Sequence, residues 1–220
     1  MCFSAEASFT ASAIIGGMGI ITTKKSLPKQ KIFGMIPLLF AVQQLFEGTI
    51  WLGFDNPHYA GLRSISTMIF LTFAWAIWPM IIPYAMYRME EHDTRKKILG
   101  VLSFIGLIAG LCSMYPIFIS HPEPYIASFH IDYSLLENPP HGILVDVYEI
   151  VYLLCTLVTM LISSQRLMYV YGIANIIGLV IAGVFYQSSV PSTWCFFSAI
   201  LSALIYWILE KNQSSKLGAS

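Results

Sequence analysis

A carboxylate, an imidazole and two thiols stand where this apolar 220-residue chain could use them for chemistry. Glu47 lies inside the hydrophobic run FAVQQLFEGTIW, Phe40 to Trp51. Cys2 belongs to MCFSAEASF, His130 to YIASFHIDYSLL and Cys195 to PSTWCFF. Thiolate, imidazole and carboxylate are ordinary ligands of zinc and related transition metals. Cys2, Glu47, His130 and Cys195 are therefore the candidate metal set. An open coordination position on such an ion would permit hydrolysis, with Glu47 and His130 as the candidate catalytic pair. No compact signature such as H-E-x-x-H or C-x-x-C is present, so any site must be assembled from separate elements.

Glu47 carries a second expectation. Gln43, Gln44, Glu47 and Trp51 recur at helical spacing and share one face. Against lipid a carboxylate costs several kcal/mol, so this face should turn inward and find a partner. Glu47 is seven residues from Phe54, which puts it roughly 10 Å below the end of its helix at about 1.5 Å per residue. Glu149 lies seven residues past Gly142, on a face shared with Asp146, Tyr152 and Thr156, and reaches the same depth from the other direction. Two carboxylates at one level could share a proton or hold a cation. A titrating Glu47 would equally serve a proton-coupled transporter. A sensor or assembly protein that binds a ligand or subunit without catalysis is the further alternative.

The elements that position these residues are membrane helices. Hydrophobic residues make up 56% of the chain and charged residues 11%, against roughly 25% charged in a soluble domain. Seven apolar stretches emerge: Ala5–Thr23, Lys31–Phe54, Arg63–Tyr87, Lys97–Ile119, Gly142–Ser164, Arg166–Tyr186 and Pro191–Leu209. Each has about the 20 residues that a bilayer span needs, and none alternates with the period of a barrel strand. The expected fold is an all-α bundle of seven transmembrane helices over residues 1–210, followed by a disordered polar tail at 211–220. Lys24 and Lys25 follow the first apolar run instead of preceding it, which argues against a cleaved signal peptide.

Charge gives the orientation. Eleven of the twelve lysines and arginines fall in alternate connections or the tail, and only Arg63 lies on the opposite side. The positive-inside rule then places the N-terminus outside and the C-terminus in the cytoplasm. The acids Glu6, Glu47, Asp55, Glu123, Asp132, Glu137, Asp146 and Glu149 lie on the outer side or in the outer half of a helix, where they should attract cations; the positive-inside bias accounts for those in loops but not for those within the spans. Arg63 is the natural ion-pair candidate for an outer carboxylate.

Local signals fill in the bundle. Ser4 is placed to cap the first helix, and Gly106-xxx-Gly110 reads as a close-packing face. Pro79 and Pro83 should kink the third helix. Cys112 and Cys155 read as buried packing thiols and Asn175 as an interhelical hydrogen bond. The long connection from Ser120 to His141 holds His130, and Tyr125–Leu136 reads as a short interfacial helix or a lid. No lysine lies within the seventh helix, which counts against a retinal Schiff base. The expected surroundings are the lipid bilayer, with a small-molecule or lipid ligand possible in chemistry and nothing that suits nucleic acid.

MCFSAEASF, QQLFEGTIW and WCFFSA together resemble an uncharacterised family of small bacterial polytopic membrane proteins that begin MCFS. The resemblance covers most of the chain and implies an inner-membrane location. Cys2, Ser4, Gln43, Gln44, Glu47, Trp51, His130, Trp194 and Cys195 match its pattern, whereas Asp146 and Glu149 do not belong to it. No role for any of these positions comes with the resemblance. The orientation is directly testable: in intact cells an impermeant thiol reagent should reach Cys2. An impermeant amine reagent should reach Lys216 only after the membrane is opened, and the reverse pattern would overturn it.

Overall fold

The computed structural model describes residues 4–120, 122–127, 130–133, 142–186 and 189–217. Among the described residues seven helices are long and apolar enough to cross a membrane, the architecture of a multi-pass membrane protein. They are α1 (Ala5–Lys25), α2 (Pro28–Asp55), α3 (Ala60–Met89), α4 (Asp93–Ser120), α5 (Ile143–Ile162), α6 (Met168–Phe185) and α7 (Val190–Lys211). The last helix continues to Leu217, into the segment expected to be a disordered tail. Helix α1 starts where Ser4 accepts a hydrogen bond from the Ala7 amide at 3.2 Å, with Glu6 in its first turn. Lys24 and Lys25 close its last turn, each charge complementing the helix dipole.

Helix α2 is the centre. Phe33, Ile36, Phe40, Ile50 and Trp51 are buried along it, and α1, α3 and α7 pack against it. Phe40 stacks on Trp78 of α3 with ring centroids 3.9 Å apart. Large side chains such as Ile14, Phe104, Leu111 and Val184 point outward, as expected of helices surrounded by hydrocarbon. The Gly106/Gly110 face lies against α3 as its spacing implied. A methyl group on Gly106 would run into the Pro79 carbonyl oxygen, and one on Gly110 would come within 2.5 Å of the Ala76 carbonyl oxygen.

Between α4 and α5 the chain forms an antiparallel pair, β1 (Tyr125–Ala127) with β2 (His130–Asp132), and not an interfacial helix. β2 is the inner strand, with Ile131, Asp132 and Tyr133 buried, and β1 is the outer one, with Tyr125 and Ile126 exposed. Tyr133 stacks on Phe70 of α3 at 4.7 Å, and Tyr125 donates to Asp132 at 2.8 Å. The strand pair therefore covers the end of the bundle that bears Ser4.

The lysine-rich end has its own fastening. Glu90, between α3 and α4, is almost fully buried. Its carboxylate accepts from the amides of Glu91 and His92 at 3.0 Å each, and from the Ser164 amide at 2.7 Å and hydroxyl. Gln165 adds a hydrogen bond to the Met89 carbonyl at 2.8 Å. One carboxylate thus joins the α3–α4 and α5–α6 connections. Burial works against its ionisation, but the four hydrogen bonds outweigh it and hold Glu90 below the ordinary value of 4.5. A folded-state value below the unfolded one contributes stability that is complete above about pH 4.5 and is lost as pH falls through the lowered value. Glu90→Ala should lower the melting temperature at pH 7, since each buried donor left unpaired costs about 1–3 kcal/mol. Glu90→Gln should flatten the acid dependence of melting relative to the native chain. Unchanged melting curves for both variants would show that the fastening contributes nothing.

Candidate functional site

Two polar ladders meet across α2 and α7. Gln43 and Glu47 are one helical turn apart on α2, and Ser192 and Cys195 are three residues apart on α7. Ser192 donates to one Glu47 oxygen, and the Gln44 amide donates to the other at 3.0 Å. Gln43 donates to the Cys195 sulfur at 3.2 Å and accepts from the Trp78 indole at 2.9 Å. Gln43, Gln44, Glu47 and Ser192 have no exposed surface. Around them Gln44 Oε1, Trp51 Nε1 and Thr193 Oγ1 are buried without a hydrogen-bond partner among the described residues. The polar face foreseen in FAVQQLFEGTIW is thus turned wholly inward.

Beside this network α3 departs from α-helical geometry. Thr72–Ile77 forms a π-helical segment, and the Trp78 amide bonds to the Phe73 carbonyl five residues back. Pro79 has no N–H to offer the Trp75 carbonyl. The carbonyls of Ala74 and Trp75 are consequently left without their usual donors. Helix α5 satisfies both: Tyr152 donates its hydroxyl to Ala74 at 2.7 Å, and Tyr148 donates to Trp75. Ser113 of α4 adds a further bond to Trp75 at 3.1 Å. Helix α5 has its own π segment at Leu154–Val158, immediately after Tyr152. Short π segments inside membrane helices are frequent at functional sites.

A cavity of about 470 Å³ opens between α3, α5, α6 and α7. Trp75, Tyr148, Glu149, Tyr152, Trp194 and Cys195 form its chemically distinctive wall. A narrow second cavity of about 20 Å³ also touches Tyr152, Trp194 and Cys195 and reaches Asn175 and Thr156; it has room for about one water. Cys195 therefore belongs both to the cavity wall and to the Glu47 network.

The residues singled out from sequence are partly brought together. Glu47 and Cys195 adjoin through Gln43 and Ser192. His130 arrives on β2, its ring packed edge-on against Tyr186 at 4.8 Å, and burial holds its imidazole below the ordinary 6.5. Its neighbours Ile131 and Tyr133 enter the cluster that contains Ala5, Trp51 and Cys195. Cys2 lies outside the described residues. Among the described residues, no three His, Cys, Asp or Glu side chains gather as a metal group. Cys195 is a free thiol, as are Cys112 and Cys155.

Several expectations are corrected. Glu149 is exposed on the cavity wall while Glu47 is fully buried, so the two carboxylates do not share an environment. Arg63 lies over the Phe54 ring at 4.8 Å and makes no ion pair among the described residues. Cys112 is exposed on the helix surface and not packed inside. Asn175 bonds to the Tyr171 carbonyl of its own helix at 2.8 Å, and not to a neighbouring helix. The sequence reading missed Ser192, Trp78 and Tyr148 as partners. Ser192-x-x-Cys195 and Tyr148-x-x-x-Tyr152 have same-face spacing, and Pro79 announces an orphaned carbonyl four residues earlier.

Tyr152→Phe keeps the ring and removes the donor to Ala74. It should destabilise the folded chain by about 1–3 kcal/mol, the cost of a buried carbonyl left unpaired. Thermal unfolding of native and variant chains in the same detergent checks this; equal stability would mean that water replaces the hydroxyl.

Neither a curated protein nor a solved structure matches the chain. A match over residues 1–219 assigns it to a family of unknown function, DUF6629, to which the chain belongs.

Proposed function

We propose that this is a multi-pass protein of the bacterial inner membrane, N-terminus outside, that binds a small ligand in the cavity between α3, α5, α6 and α7. The supporting observation is the position of Cys195, which joins an aromatic cavity of ligand size to a buried network centred on Glu47. The network supplies a polar floor beneath walls that are mostly aromatic and apolar. The strand pair β1–β2 covers the same end of the bundle and would control access from outside. Reactivity of Cys195 tests the reading, with Cys2 and Cys112 changed to serine. A small thiosulfonate reagent should modify Cys195, and filling the cavity with Leu179→Trp should slow the reaction at least tenfold. A Cys195 reaction rate unmoved by Leu179→Trp would remove the pocket.

A transition metal such as zinc is the second reading, favoured by the thiol of Cys195 beside the carboxylate of Glu47. His130 from β2 and Cys2 would complete the donor set, and Glu47 with His130 would handle protons in a hydrolytic reaction. Elemental analysis of the purified chain decides it. About one metal ion per chain, lost together in Cys195→Ser and Glu47→Gln, would establish the metal. A metal-free chain that still protects Cys195 when the cavity is filled would leave the ligand pocket alone.

A further inference from the structure

We propose that the cavity takes a lipophilic organic cation, a quaternary ammonium or a protonated amine with apolar substituents; this rests on the ligand-pocket reading above. The first support is the wall. Trp75, Tyr148, Tyr152 and Trp194 form an unbroken run of neighbouring rings, with successive centroids 6.0, 6.1 and 5.8 Å apart. All four line the cavity. Aromatic residues near a membrane surface commonly face the headgroups, but these enclose a space within the bundle. Both tyrosine hydroxyls are committed to backbone carbonyls of α3, so the rings are held in place and their hydroxyls are occupied. An arrangement of fixed aromatic rings around a cavity is the chemistry that recognises quaternary ammonium groups.

The second support is charge. Glu149 stands on the same wall, and among the described residues no lysine, arginine or histidine lines the cavity. Among the described residues Glu149 has no hydrogen bond and no ion pair. It lies six residues into α5, about 9 Å from the start of the helix. A carboxylate at that depth is costly unless a cation accompanies it. The surrounding field points the same way, since Asp55, Glu123, Asp132 and Asp146 lie at this end of the bundle with Arg63 the sole arginine or lysine. Such a field concentrates cations at the cavity mouth. A neutral lipid chain would satisfy the aromatic walls and leave the carboxylate unanswered. The volume of about 470 Å³ accommodates a substituted ammonium ion with one aromatic or short alkyl arm.

Benzyltrimethylammonium and neopentylbenzene share a shape and differ in charge, so they separate the two cases. Equilibrium dialysis against the full chain in lipid nanodiscs, with empty nanodiscs as the control, should show saturable binding of the cation. The neutral isostere should bind at least tenfold more weakly. Glu149→Gln, at an exposed position that leaves folding intact, should weaken the cation several-fold and leave the isostere unchanged. Trp194→Leu should abolish most cation binding and Trp194→Phe should restore part of it. Equal binding of cation and isostere, unmoved by Glu149→Gln, would overturn the cation inference while keeping the pocket. Binding of neither compound by a native chain whose Cys195 reaction is slowed by Leu179→Trp would also overturn the inference, whereas a rate unmoved by Leu179→Trp would remove the pocket itself.

Discussion

A peptide carbonyl within hydrocarbon must have a donor, because no water is there to supply one. Pro79 breaks that rule locally and the molecule is arranged around the repair. Its missing N–H and the adjoining π segment strand the carbonyls of Ala74 and Trp75, and two tyrosines of α5 reach across to them. Those bonds draw α5 toward α3 at two points and fix both rings. The space left between them and α7 is the cavity. Site and helix defect are thus a single feature, and an ideal α3 would have had no use for Tyr148 or Tyr152.

The two glutamates of the outer half behave differently, and magnitudes separate them. Burying Glu47 costs about 2.5–3.5 kcal/mol on insertion scales. Hydrogen bonds to a charged group contribute about 1.5–3 kcal/mol each, and Glu47 has at least two, from Ser192 and Gln44. Its burial is therefore already offset by the protein and does not by itself demand a ligand. Among the described residues Glu149 has no such partners. The residue that looked secondary in the sequence is the one whose charge is unanswered.

The seven helices and their limits were legible because twenty-residue apolar runs admit few other readings. The inward face of Gln43, Gln44, Glu47 and Trp51 followed from spacing alone. What spacing cannot give is which face of one helix meets which face of another. Ser192 and Cys195 read as polar residues near the start of α7, and only the packing of α7 on α2 turned them toward Glu47 and Gln43. The strand pair was missed because each strand is only three residues long and sits in a segment whose residues suit several conformations. Asn175 was misplaced since an amide can bond within its own helix as readily as across helices. Glu90 gave no sign at all, being one carboxylate in a charged connection whose distant partner, Ser164, lies 74 residues later.

Residues 143–153, the first part of α5, contain no buried residue, although this stretch supplies Tyr148, Glu149 and Tyr152. Ile143, Leu144, Val147 and Ile150 are all largely uncovered. In a bilayer their neighbours are acyl chains, so the solvent forms the outer layer of that wall. A wall backed by lipid is compliant, and its stiffness follows acyl length, unsaturation and lateral pressure instead of any side chain. The shape of the cavity would then vary with growth temperature and lipid composition in a cell whose protein sequence had not changed.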